Sequence, residues 1–158
     1  MMRGAVEHHL VVIGTGIAAL TLARNLLLSP LPLSITLLDK ASAPGGRLSS
    51  RQYDSGTILE PGLRIFESPR IEGSEGLFGK EVDRWAKEGW IREVDSSRRK
   101  GVMGDGRWWE GAHGIKYLVS GLMGELLKLG GERLQIHYNV TVSLLPSSRL
   151  VLKLIRET

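Results

Sequence analysis

The sequence contains no cysteine. Disulfides, thiolate metal ligands and a cysteine nucleophile are therefore excluded, and the chain reads as an intracellular protein. The histidines His8, His9, His113 and His137 lack the His-x-x-x-His or acid–His spacing of a metal site, so no metal is expected. A long apolar run is also missing. The stretch from Leu10 is punctured by Gly14 and Gly16, and Arg24, Asn25, Pro30 and Pro32 precede Leu38, which excludes a helical bilayer span. Met1–Val6 is too short and too weakly cationic for a signal n-region, so a cytoplasmic location is expected. Positive charge is not concentrated. The 21 Lys and Arg against 17 Asp and Glu are scattered, apart from Arg98-Arg99-Lys100, which reads as a solvated turn rather than a nucleic-acid patch. There is no internal repeat, no low-complexity tract and no clean linker.

What is present suits one globular domain: 158 residues, 42% apolar and 24% charged. Leu10–Ile13 is a continuous apolar, β-branched run, as in a parallel strand buried on both faces. Ile17–Leu28 reads as a helix with Ala18, Leu22, Asn25 and Leu26 on neighbouring turns, stopped by Ser29-Pro30. Ser34–Leu38 is a second strand, and the strand–helix–strand order predicts a crossover with both strands parallel. Helical spacing returns over Leu77–Glu88, through Phe78, Val82, Trp85 and Ala86. It returns again over Ile115–Leu129, with Leu118, Leu122, Leu126 and Leu129 as the stripe and Gly130-Gly131 as the stop. Trp90–Val94 and Val102–Trp109 read as strands that pair, giving an accessory β layer over about 90–109. Leu134–Tyr138, Thr141–Leu145 and Leu150–Ile155 are strand-like. Adjacent residues in a strand face opposite sides, so only one of Trp108 and Trp109 is expected to point inward.

The chemistry-bearing stretch is Gly14-Thr15-Gly16-Ile17-Ala18-Ala19, set between the first strand and the helix. Gly14 permits the tight turn, Gly16 lets a pyrophosphate approach the backbone, and Ala19 keeps helix and strand close. The helix start at Ile17, Ala18 and Ala19 then offers free N–H groups and the positive dipole end to an anion. Asp39, closing the second strand, has the chemistry to accept hydrogen bonds from a ribose diol and to repel a 2′-phosphate. This order of parts is a dinucleotide-binding fingerprint in an α/β, Rossmann-like fold. Pro44-Gly45-Gly46-Arg47 follows at once. Two glycines allow close backbone approach to a ligand, and arginine supplies a fork for phosphate oxygens.

Gly14–Ala19, then Asp39-Lys40, then Gly45-Gly46-Arg47, resembles the amino-terminal half of FAD-dependent amine oxidase-like flavoproteins, the renalase-like proteins in particular. Glu60-Pro61-Gly62 with Phe66 resembles the stretch beside the flavin ring, usually Asp-Leu-Gly-Ala. Trp109–Ile115 resembles the family's Tyr-x-Gly-x-Pro-Gly-Met. Leu134-Gln135-Ile136 with Val140 resembles the third sheet strand and the valine whose backbone faces the adenine. The resemblance implies FAD as cofactor, held by Gly14, Gly16, Ile17, Ala18, Ala19, Asp39, Lys40, Gly45, Gly46, Arg47, Gly62 and Val140. It implies hydride transfer from an amine or a reduced nicotinamide to FAD and then to oxygen. It also implies a single FAD/NAD(P)-binding domain over 1–158 that is truncated, since the family continues through a substrate domain. No catalytic residue is named. Two alternatives stand beside this reading: a non-catalytic dinucleotide-binding fragment or pseudo-enzyme, and an NAD-dependent dehydrogenase domain, which shares Gly14–Asp39 but does not require Gly45-Gly46-Arg47.

Overall fold

A computed structural model of the chain describes residues 8–49, 51–52, 58–59, 64–68, 76–95, 106–143 and 155–156. The first elements are strand β1 (His8–Ile13), helix α1 (Ile17–Leu28) and strand β2 (Leu33–Leu38). The short strands β3 (Arg51–Gln52) and β4 (Ile58–Leu59) come next, then β5 (Ile65–Ser68), helix α2 (Leu77–Lys87), β6 (Ile91–Glu93) and β7 (Arg107–Gly111). Helix α3 (Ile115–Gly130), β8 (Leu134–His137), β9 (Val140–Thr141) and β10 (Ile155–Arg156) complete the order. The chain divides into two compact units, Met1–Gly46 with Leu122–Thr158, and Arg47–Gly121. No helix among the described residues is long and apolar enough to cross a membrane.

The first unit is built on a parallel sheet of order β1-β2-β8. β2 is the central strand, and Leu33, Ile35, Leu37 and Leu38 are buried as its near-continuous apolar sequence requires. β1 departs from the expectation of burial on both faces: Val11 is 38% exposed and Ile13 62%. The physical reason is position. β1 lies at the sheet edge, and the described residues leave the Val11–Ile13 face uncovered. α1 has the expected bounds, and its inward stripe is not the one that the spacing of Ala18, Leu22 and Leu26 marks. Leu20, Ala23 and Leu27 are buried, whereas Leu22 is exposed. A helix carrying leucine on nearly every side presents more than one apolar stripe, and periodicity alone does not choose among them.

The α1 terminus is closed by its surroundings. Ser29 donates its hydroxyl to the Leu26 carbonyl at 2.7 Å, and the Arg133 guanidinium donates to the Leu27 carbonyl at 2.9 Å. Arg24 of α1 pairs with Glu125 of α3 at 2.7 Å. Gly131 adopts a left-handed φ of 49° where α3 stops, as Gly130-Gly131 predicts.

In the second unit β5, β7 and β6 form an antiparallel sheet with β7 in the middle. The pairing of the β6 and β7 segments matches the accessory layer expected over about 90–109, with β5 added from upstream. Trp109 is the inward tryptophan, 2% exposed, and donates its Nε1–H to the Ser68 hydroxyl at 2.8 Å. The Arg107 guanidinium lies 4.4 Å from the Trp109 ring centroid. Phe66, Phe78 and Trp85 meet in tilted or edge-on contacts of 6.3 to 6.4 Å, which closes α2 over β5.

Two glycines of α3 have opposite environments. A Cβ at Gly121 would fall 2.3 Å from the Trp90 ring, whereas one at Gly124 would meet nothing within 4 Å. Gly124→Ala is therefore expected to stabilise the chain by about 0.5–1 kcal/mol through helix propensity, and Gly121→Ala to destabilise it despite the same propensity gain. Urea unfolding midpoints of the two variants should move in opposite directions.

Candidate functional site

At the carboxyl end of β1 the chain turns sharply at Gly14, whose φ of 99° is costly for any residue with a Cβ. The Gly14 N–H donates to the Leu38 carbonyl at 2.6 Å, which holds the turn against the end of β2. Thr15 is fully buried. Its backbone N–H and its hydroxyl both donate to Asp39 Oδ2, at 2.6 and 2.5 Å. The other carboxylate oxygen, Oδ1, accepts the Ala41 N–H at 2.9 Å. The Asp39 backbone is engaged as well, with its N–H donating to the His137 carbonyl and its carbonyl accepting the Val140 N–H, each at 2.9 Å. One residue thus ties the ends of β1, β2 and β8 together.

Burial acts to raise the Asp39 pKa, but the Thr15 hydroxyl, the Ala41 and Thr15 N–H groups and the Lys40 charge outweigh it. The carboxyl is held below its ordinary value and stays ionised. Tyr138 responds in the opposite sense. Burial, and then the Asp39 charge, push its phenol up, so it remains a protonated donor.

A second turn seats on the first. The Gly45 N–H donates to the Thr15 carbonyl at 3.0 Å, and Gly16 and Gly45 form an isolated β-bridge. Gly45 and Gly46 have φ of 120° and 54°, and a Cβ built on Gly46 would lie 3.5 Å from Gly16 Cα. Above Gly14 and Gly16 themselves a Cβ would meet nothing within 4 Å, so both glycines border open space. Gly16 is also the N-cap of α1, and no side chain caps it. The first-turn N–H groups at Ile17, Ala18 and Ala19 therefore present the positive end of the helix toward a ligand.

Of the residues predicted from sequence, Gly14, Gly16, Ile17, Ala18, Ala19, Asp39, Lys40, Gly45 and Gly46 are brought together in the first unit. Val140 joins them through Asp39, whose carbonyl accepts the Val140 N–H at 2.9 Å. Arg47 is exposed in the 3-10 turn Gly46–Leu48, and Gly62 lies outside the described residues. Sequence reasoning overlooked Thr15, Ala41, Tyr138 and Asn139. Asn139 carried a signal, because asparagine tolerates the left-handed φ of 57° that it adopts, and its N–H closes onto the Ala41 carbonyl at 3.1 Å. Thr15 gave none, since a residue between two glycines reads as filler until its hydroxyl is seen on Asp39.

A carboxylate offers about four acceptor positions, and the chain's own donors occupy three of those on Asp39. The free position on Oδ1 suits a ribose hydroxyl, and the uncapped helix start suits a diphosphate.

The ionised Asp39 has a definite pH signature. A carboxylate with a lowered folded pKa stabilises the protein above its unfolded value, near 3.8, and loses that contribution as the pH falls through the folded value. Asp39→Asn is therefore expected to be less stable than the parent at neutral pH, with urea midpoints that converge in acid below the ordinary carboxylate range. A difference independent of pH would show that the charge does not hold the loop.

Residues 12–75 match the family model described as an NAD(P)-binding Rossmann-like domain. A segment of 59 residues, 37% of this chain, is 44% identical to a hydroxyneurosporene desaturase from Rubrivivax gelatinosus, and it spans 11% of that protein. Among solved structures, an oxidoreductase from Methanosarcina mazei superposes with a TM-score of 0.50 at 11% identity, over 86% of this chain and 53% of that one. THI4 from Thermovibrio ammonificans gives a TM-score of 0.50 at 11% identity, over 89% and 41%. The chain thus spans about a tenth of the curated relative and about half of these structures. At such identities the structures speak for the fold, and they agree with the matched segment and with the strand–glycine turn–helix–strand–aspartate geometry. The chain has a Rossmann-like α/β fold, and its residues 12–75 are similar to NAD(P)-binding domains of that fold.

Proposed function

We propose that the chain binds FAD at the paired glycine turns and is the FAD-binding part of an amine oxidase-like, renalase-like oxidoreductase. The observation that carries this reading is the seating of Gly45-Gly46 on Thr15 and Gly16. A nicotinamide fingerprint needs the Gly14–Asp39 part alone. A second glycine turn held against the first one adds another stretch of approachable backbone and leads directly into Arg47.

In this reading Gly14, Gly16 and the N–H groups at the start of α1 receive the pyrophosphate, with Arg47 as its cationic partner. Asp39 takes a ribose hydroxyl on Oδ1 while its other contacts keep the glycine turn in place. Lys40, Tyr138 and Val140 border the adenosine, and Gly62 is assigned to the flavin side by resemblance. Bound FAD would supply the redox chemistry, accepting a hydride from an amine or a reduced nicotinamide and passing electrons to oxygen. The part played by these residues is to bind and orient. A desaturase among the relatives is consistent with a redox role.

Titration of the full chain with FAD and, separately, with NADH tests the assignment. FAD is expected to bind with a change in flavin absorbance, and Asp39→Ala to weaken it by about 1.5–3 kcal/mol. A folded chain that binds NADH but neither retains nor takes up FAD overturns the flavin reading. FAD binding without oxidation of amines or reduced nicotinamides removes the enzymatic half and leaves a dinucleotide-binding unit.

A further inference from the structure

A concavity of about 510 Å³ is lined, among the described residues, by the Arg47–Gly121 unit. It shares no residue with the glycine turns. That volume suits a small ligand. The antiparallel register creates its charged side: Ile65 and Arg92 stand opposite Glu110 from the two neighbouring strands. Arg92 donates its Nε–H to Glu110 Oε1 at 2.8 Å. This bond fixes the guanidinium plane and leaves its terminal nitrogens without a partner among the described residues. Arg64, just before β5, lines the same concavity and has no partner among the described residues.

The opposite border is backbone. Gly111 closes β7 and packs so tightly on Gly114 that a Cβ there would fall 2.3 Å from the Gly114 carbonyl carbon. Helix α3 begins immediately afterwards, so its positive end adds to the arginines. His113, exposed on this turn, meets Tyr117 edge-on at 5.2 Å between ring centroids. Two guanidinium charges against one carboxylate leave an excess positive charge. The apolar side chains of the border are those of Ile65 and Ala112.

We infer that this concavity is a binding site for a small organic oxyanion, a carboxylate or a phosphate ester, gripped by Arg64 and the terminal nitrogens of Arg92. Arginine forks match both anions in geometry, and Glu110 orients one fork in advance. The site takes a polar molecule with a short carbon frame.

Nitrogen-15 spectra of the full chain, recorded without nucleotide at constant ionic strength, test the inference with succinate and with inorganic phosphate as separate probes. Saturable shifts are expected at the Arg64 and Arg92 side-chain N–H groups and at the Gly111–Gly114 amides. The probe that saturates at lower concentration identifies the anion class. Arg64→Gln breaks no hydrogen bond or ion pair among the described residues, and it should weaken binding by about fivefold or more, while Lys87→Gln leaves it unchanged. Linear shifts spread over all basic side chains, or an Arg64→Gln protein that titrates like the parent, would overturn the site. Because no nucleotide is present, either outcome stands apart from the FAD assignment.

Discussion

The ionised carboxylate of Asp39 is the interaction on which the nucleotide region depends. It draws in the Thr15 N–H, the Thr15 hydroxyl and the Ala41 N–H, and its backbone joins His137 to Val140. Charge-assisted hydrogen bonds from neutral donors are stronger than neutral pairs, so a buried acid with three donors holds a shape that the glycines alone would leave loose. Gly14 and Gly16 contribute freedom from a Cβ. Asp39 removes the unwanted part of that freedom.

In the proposed function Asp39 has two tasks with different geometric demands. Bracing the turn occupies Oδ2 completely and half of Oδ1, which leaves one acceptor position for a ligand. Val140 takes part in the same bracing, because its N–H is engaged in securing Asp39. The groups that stay open are those no side chain among the described residues satisfies: the first-turn amides of α1 and the space above Gly14 and Gly16. In the proposed function an anion is thereby met by backbone, and rigidity comes from side chains.

The second unit follows different physics. Its antiparallel sheet is held by Trp109 on Ser68, Arg107 on Trp109 and the Phe66–Phe78–Trp85 cluster, with charge placed at its border rather than in its core. The register opposite Glu110 brings together residues that are far apart in sequence, Ile65, Arg92 and Glu110. Nothing in local composition marks them as neighbours.

Local rules were sufficient wherever one short stretch carries its own reason. The bounds of α1, the glycine turn before it, the acid after β2, the stop at Gly130-Gly131 and the single inward tryptophan of Trp108-Trp109 are all legible by period, turn chemistry or alternation. Choices between equivalent local options were not. Which leucine stripe of α1 meets the sheet, whether β1 lies at an edge, and what Thr15 and Tyr138 do each depend on what other segments bring alongside. The sequence by itself determined that a strand, a glycine turn, a helix and an acid stand in dinucleotide-binding order, because those signals are covalently adjacent. Only the tertiary structure decided that Asp39 braces the turn and that Gly45 seats on Thr15, because hydrogen bonds across 24 and 30 positions form only when the chain has folded back on itself.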